Sequence, residues 1–437
     1  MNSRQRVLAA LNHERPDRVA IDFSGHRSSG IAAIAYARLR KHLGLAERPI
    51  RVYDMVQQLA IVDEDVLDLF GVDVVEMGRG FLTEDRQWKD WVLPDGTPCQ
   101  IPYYINLEKR GRDWYLLADD GFELGVQKKG VLYFEQTSWP LMERGIAADD
   151  FSDLEEVLGR TIWSGTPHPG AHISPDEPER GGGGGGQITH GQDAHATHGQ
   201  DARATALSRG ARGLRERTDR AIVGLFGGNL FELPQWLYRM DNYLMYMGLY
   251  PEQVIRLSEA LCAIYMKNLE KWLAAVGPYI DVIMFGDDLG GQNGPLMSPE
   301  MYRRYYKPCH KRLWTRAKEL ADVKVQLHCC GGVRELLPDL IDAGLDAINP
   351  VQITCRGMDA AGLKRDFGER ITFWGGGCDT REVLGNGTPA QVREHVKRQV
   401  ETLAPGGGFV FQQVHNILAN VPPENIVAMF EAVREYA

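Results

Sequence analysis

Val323-Lys324-Val325-Gln326-Leu327-His328-Cys329-Cys330-Gly331-Gly332 is an apolar run that delivers a histidine and two cysteines to the edge of a glycine turn. Its start reads as a short buried strand, because a brief apolar run stopped by Gly-Gly is too short for a helix. Residues at i and i+2 of an extended segment point the same way, so His328 and Cys330 share a face while Cys329 points away. Imidazole nitrogen beside thiolate sulfur is the donor pair that a borderline-soft ion such as Zn²⁺ takes. The competing reading is a buried cysteine beside a satisfied core histidine, so the rest of the chain has to decide.

Working outward, apolar runs like this one recur at residues 19–23, 71–77, 221–226, 281–285, 347–350, 371–375 and 408–412, with helical stretches between them. Eight short buried strands alternating with helices predict a closed parallel (β/α)8 TIM barrel rather than an open sheet. In such a barrel the active site is built at the C-terminal strand ends. Those ends supply His26, Asp287, Asp288, His328, Cys330, Asn349, Cys378, Asp379 and His415. Residues 1–437 are expected to form a single barrel domain with two additions. Residues 86–140 switch to period two, with turn signals at Asp95-Gly96, Asp120-Gly121 and Lys129-Gly130, which predicts hairpins laid over the barrel where they would roof a pocket. Residues 165–217 carry six consecutive glycines and two near-copies of an eight-residue unit, 189–196 and 197–204. With no apolar periodicity to offset its ordering entropy, this stretch reads as a disordered repeat insertion.

The balance of the 437 residues is that of an ordinary globular protein, 43% hydrophobic and 25% charged. A formal net charge of −10 argues against nucleic acid or an anionic membrane surface as the main partner. The N-terminus enters an amphipathic helix without an apolar signal core, and no apolar run reaches the ~18 residues of a membrane span, so the expected location is the cytoplasm. Seven cysteines are too few and odd in number for a disulfide framework, which leaves thiols free for metal or redox work.

Three soft or borderline donors, His328, Cys330 and His415, follow two different strands, and the carboxylates of Asp287 and Asp288 follow a third. A catalytic zinc needs three protein ligands and one exchangeable position. Either aspartate would complete that shell or act as general base, or would simply cap a turn. His26 is a candidate to reach substrate, Cys378 a spare ligand or a plain turn residue, and Asp379 a helix cap. Trp236, Tyr238, Tyr243 and Tyr246 read as core aromatics, some of which would wall a pocket for a flat ligand.

The opening Arg6-Val7-Leu8-Ala9-Ala10-Leu11 with Pro16-Asp17-Arg18-Val19, and the tail from Gly406-Gly407-Gly408 through His415-Asn416-Ile417 to Pro422-Pro423-Glu424, resemble the uroporphyrinogen decarboxylase superfamily. Asn349-Pro350-Val351-Gln352 and Trp374-Gly375-Gly376-Gly377-Cys378-Asp379-Thr380 fit the same pattern. The resemblance covers nearly the whole chain outside the repeats and implies a TIM barrel, often a homodimer. Two chemistries come with it. The metal-free decarboxylases grip a substrate of eight carboxylates with an Arg-x-x-Gly-Arg type of loop, where this chain has Ser24-Gly25-His26-Arg27-Ser28-Ser29-Gly30 with one arginine. The zinc methyltransferases move methyl groups between a corrinoid on a separate partner protein and a thiol or another small methylated substrate, using His-x-Cys and a distant Cys. His328 and Cys330 match the first part, and His415 stands where the distant Cys is expected. The resemblance therefore implies a zinc-dependent methyltransferase with His328, Cys330 and His415 on the metal, Asp287, Asp288 and His26 in catalysis, and Arg27, Asn349 and Gln352 against substrate. The alternatives are a porphyrinogen decarboxylase and a barrel that binds a tetrapyrrole without turnover.

Overall fold

The computed structural model describes residues 1–165 and 194–436. Eight parallel strands form one sheet: β1 Ala20–Ile21, β2 Val74–Glu76, β3 Ala221–Gly227, β4 Val282–Gly286, β5 Lys324–His328, β6 Ala347–Asn349, β7 Thr372–Trp374 and β8 Phe409–Phe411. From β2 to β8 each strand pairs with the next, and β1 pairs with β8 (Ala20 opposite Val410). Between β1 and β2 the ring is closed by the Asp73 N–H, which donates to the Ile21 carbonyl at 2.8 Å. The Asp73 carboxylate strengthens this seam, accepting from the Ile21 N–H at 2.9 Å and from Arg6 and Arg18 at 2.6 and 2.7 Å. The architecture is a (β/α)8 TIM barrel.

Alternation along the strands sorts the apolar residues into two cores. Val282 and Met284 face the barrel axis and cluster with Val74, Val223, Ala347, Trp374 and Val410. Ile283 and Phe285 face outward, with Val325, Leu327 and Phe373, against the ring of helices. The N-terminal helix Ser3–Leu11, opened by an Asn2/Gln5 capping box, inserts Val7, Ala10 and Leu11 into the inner core and stoppers the barrel at its N-terminal end.

The hairpins fall where the turn signals place them. Trp88–Val92 pairs with Pro98–Pro102, and Asn106–Arg110, Asp113–Leu117 and Glu123–Gln127 form a three-stranded antiparallel sheet. Gly96, Gly121 and Gly130 adopt φ of 90°, 85° and 85°, the left-handed region the Asp-Gly and Lys-Gly turns require.

The insertion ends earlier than its composition suggests. Residues 194–217, expected to be disordered, form the helix Ala194–Arg217 of the outer ring. Leu207, Ala211 and Leu214 recur at helical spacing, and Ala211 and Leu214 are buried. Arg215 donates to Asp281 at 2.8 Å, and Gly210 packs so tightly on the Phe81 ring that a Cβ there would collide with it. The repetitive composition hid this stripe. The remainder of the expected insertion, residues 166–193, lies outside the described residues. Among the described residues no helix is long and apolar enough to cross a membrane.

Candidate metal centre at the barrel mouth

A cavity of about 370 Å³ opens at the C-terminal strand ends. Its apolar lining includes Leu225, Met284, Trp163, Leu233 and Trp236, and its polar lining includes Arg27, Ser28, Asn229, Glu232, Asp288, His328, Cys330 and His415. None of the lining comes from residues 86–140, so the expected hairpin roof is absent from this site.

Local backbone geometry delivers the donors. His328 ends β5, and the Gly331-Gly332 turn packs on Gly290-Gly291 after β4, with the Gly332 N–H donating to the Gly291 carbonyl at 2.8 Å. Gly331 has φ of 86°, and a Cβ there would meet the Gly290 backbone at 2.2 Å, so only glycine permits this approach. The Asp288 carboxylate accepts the Cys330 N–H at 2.7 Å and fixes the cysteine over the cavity.

One ligand atom each from His328, Cys330 and His415 lies within 4.8 Å of the others. His328 Nε2 is 3.5 Å from Cys330 Sγ and 3.6 Å from Asp288 Oδ1, and the two imidazole centroids are 5.7 Å apart. Asn349 donates through Nδ2 to the Trp374 carbonyl at 3.0 Å and to Gln412 at 2.8 Å, which turns its Oδ1 toward His328 Nδ1 at 3.2 Å. His328 therefore carries its proton on Nδ1 and directs the Nε2 lone pair into the cluster. Burial lowers the pKa of His328, partly offset by Asp288. Burial, reinforced by His328 and His26, pushes His415 down to about 3. Both rings are neutral near pH 7, as metal ligands must be. Burial and Asp288 push the Cys330 thiol up, so its thiolate calls for a cation beside it.

The other expected site residues take varied positions. Asp288 is on the cavity wall, whereas Asp287 is fully buried and points to the start of the helix Glu232–Tyr238, accepting from the Phe231 and Glu232 N–H groups at 2.9 and 2.7 Å. His310 Nε2 lies 3.3 Å from the same carboxylate. His26 is also behind the wall, with Nε2 3.0 Å from Asp22 and Nδ1 2.9 Å from the Ser28 hydroxyl, which donates to Asn349 at 2.6 Å. Asn349 itself is enclosed. Arg27 reaches the cavity with Nε 3.4 Å from Asp54. Gln352 accepts the Gly331 N–H and braces the turn. Cys378 is buried away from the cluster, and Asp379 caps the turn after β7 through the Arg381 and Glu382 N–H groups. Tyr238, Tyr243 and Tyr246 stay in the aromatic packing around Phe231, and Trp236 alone of that group reaches the cavity.

Glu232 had no signal in the sequence beyond its place in the turn after β3. Its carboxyl faces the cavity, accepts from Asn229 Nδ2 at 2.6 Å and is approached by the Trp236 indole N–H. Burial, then the charges of Asp288 and Asp287, raise its pKa well above the carboxylate range.

Comparison with known proteins places these elements in a lineage. Uroporphyrinogen decarboxylases of Legionella pneumophila (strain Corby) and Methylococcus capsulatus are 28% and 24% identical over 157 and 230 residues, covering 36% and 50% of this chain and 41% and 61% of theirs. Methylcobamide:CoM methyltransferase MtaA of Methanosarcina barkeri is 28% identical over 159 residues, 36% of this chain and 42% of that protein. The chain thus spans less than two thirds of the length of these curated relatives. A solved methyltransferase from Methanosarcina mazei superposes over 100% of this chain and 99% of its own with a TM-score of 0.54 at 16% identity, which shows a shared fold. Residues 196–436, more than half of the chain, match the family model for uroporphyrinogen decarboxylase (URO-D), and with the barrel and its mouth as described, the chain belongs to the URO-D family.

Proposed function

We propose that this enzyme moves a methyl group between a small methylated substrate or thiol and a corrinoid protein, with zinc held by His328, Cys330 and His415. The observation that carries the reading is the convergence of two neutral imidazoles and one thiol within 4.8 Å, with the His328 tautomer set by Asn349. The fit is chemical as well as spatial: N,N,S donors suit zinc, and a cavity on one side leaves an exchangeable position. Bound there, zinc supplies Lewis acidity, drawing charge from a coordinated oxygen or sulfur. Asp288 holds Cys330 in place through its N–H and offers an acceptor for a proton leaving the shell. The Asp22-His26-Ser28-Asn349 chain keeps His328 oriented. Trp163, Trp236 and Leu233 exclude water from the substrate side.

The decarboxylase alternative is supported by the curated decarboxylase relatives, but among the described lining residues Arg27 is the one cation, and Asp54 lies against it. A polycarboxylate substrate, or a tetrapyrrole bound without turnover, would lack clamps here. Metal analysis of untagged protein tests the choice. Near-stoichiometric zinc in the wild type, lost in Cys330→Ser and His415→Ala, is the expected result; zinc at trace level in the wild type would refute it.

A further inference from the structure

Residues 86–140 contribute nothing to the mouth cavity, yet they line a cavity of their own, about 530 Å³ between the Trp88–Val92 hairpin and the three-stranded sheet. Strand pairing decides what faces it. Lys109 lies opposite Trp114 and Trp114 opposite Gln127, so these three side chains share one face of the sheet, while Glu108, Tyr115 and Val126 share the other. On the hairpin Trp91 pairs with Cys99, and Asp90, one residue earlier, belongs to the opposite face and accepts from Gln100 at 3.2 Å. The pleat therefore sends indoles and a lysine into the cavity and carboxylates away from it.

Two turns add to the charge. Arg112 sits in the turn after Asn106–Arg110, and Lys128 and Lys129 follow Glu123–Gln127. The Lys129 N–H donates to the Asp113 carboxylate at 2.8 Å, which ties the two turns together and engages that acid. No Asp or Glu lines the cavity, and none of Lys109, Arg112, Lys128 and Lys129 has a carboxylate partner among the described residues. In a chain of formal net charge −10, four cations around one cavity invert the local sign. Their mutual repulsion is what an incoming anion relieves.

The lining also selects a flat ring. Trp91 and Trp114 stand 6.2 Å apart at 72°, giving two apolar walls, and Lys109 Nζ lies 5.5 Å from the Trp114 centroid. The Trp91 indole N–H has no acceptor among the described residues, so its positive end adds to the potential of the cations. A bare inorganic anion leaves the indoles uncovered, and a neutral ring leaves the cations unpaired. The volume falls in the ~300–1,000 Å³ range of small-molecule sites. We infer that this cavity is a second ligand site and that it takes a nucleoside monophosphate, with the base against Trp114 and the phosphate among Arg112, Lys128 and Lys129. It shares no lining residue with the barrel mouth, so the inference stands apart from the metal reading.

Titration of the full-length protein at low salt tests it, following heat release and tryptophan fluorescence. The probes are adenosine monophosphate, adenosine, inorganic phosphate, a polyglutamate peptide and a short single-stranded oligonucleotide. Two variants accompany the wild type: Trp114→Leu, which removes a wall, and the double change Lys128→Glu with Lys129→Glu, which reverses charge at exposed positions and should leave the circular dichroism spectrum unchanged. The expected result is saturable binding of adenosine monophosphate to wild type, about tenfold tighter than adenosine or phosphate alone, and about tenfold weaker in each variant and on adding salt. Wild type that ignores adenosine monophosphate, or binds phosphate or adenosine as tightly, overturns the assignment. So does an affinity that survives the charge reversal, or a preference for the peptide or the oligonucleotide.

Discussion

Asn349 Oδ1 lies 3.2 Å from His328 Nδ1, and the two amide hydrogens of the same side chain are spent on Trp374 and Gln412. The asparagine therefore cannot flip, and the histidine cannot change tautomer without losing its partner. Replacing Asn349 with Ala should lower zinc affinity about 10- to 100-fold with little change in secondary structure. Competition with a chromophoric chelator measures this, and an unchanged affinity would remove Asn349 from the metal's support.

His415→Cys tests the N,N,S donor set by adding a second thiolate to it. A second thiolate neutralises the bound ion, so zinc should be held more tightly and methylation of a free thiol from methylcobalamin should rise, by roughly tenfold. Chelator competition and a thiol methylation assay give the two numbers.

Asp287 is expected to matter for a different reason from its neighbour. Its carboxylate satisfies backbone N–H groups at the start of Glu232–Tyr238 and sits against His310, all out of contact with solvent. Asp287→Ala should destabilise the fold by about 3 kcal/mol, since it strands buried donors. Asp288→Asn should cost little stability and act on zinc and turnover. Urea denaturation of the two variants side by side decides the assignment, and equal stabilities would contradict it.

Asp339 joins three helices through Arg303 at 2.9 Å and Lys307 at 2.8 Å. Burial alone would raise its pKa, but the two cations outweigh burial and hold it below the ordinary carboxylate value. A depressed folded pKa contributes stability that is present above the unfolded value near 3.9 and is lost as pH falls through the folded one. Arg303 is largely exposed, so the contribution is about 1 kcal/mol after solvent screening. Asp339→Asn should lower the melting temperature at pH 7, and the difference from wild type should shrink as pH falls below the unfolded value and through the depressed folded one, as calorimetry across the acid range would show.

The barrel strands and the His328, Cys330 and His415 cluster were legible because both follow from position: apolar runs mark strands, and their ends mark the mouth. What the pattern leaves open is direction. Asp287 and Asp288 are adjacent, yet one turns toward a helix start and the other toward the cavity, and that choice depends on the Gly290-Gly291 turn packing against β5. His26, Asn349 and Gln352 are likewise at strand ends but one layer back, bracing groups that touch the cavity. Glu232 was missed because it comes from a loop whose course is set by contacts distant in sequence, Asp287 above all. The helix Ala194–Arg217 was missed because a repeat-rich composition masks a three-residue apolar stripe.

The helix Ser3–Leu11, wedged into the barrel's N-terminal end, makes the interior a dead-end chamber. In the proposed methyl transfer a small substrate and a bulky corrinoid carrier share one doorway. Traffic through it is then ordered: substrate enters first, the carrier closes behind it, and the demethylated product departs only after the carrier lets go. An excess of carrier would bar the door, so the rate should rise and then fall as carrier concentration increases at fixed substrate.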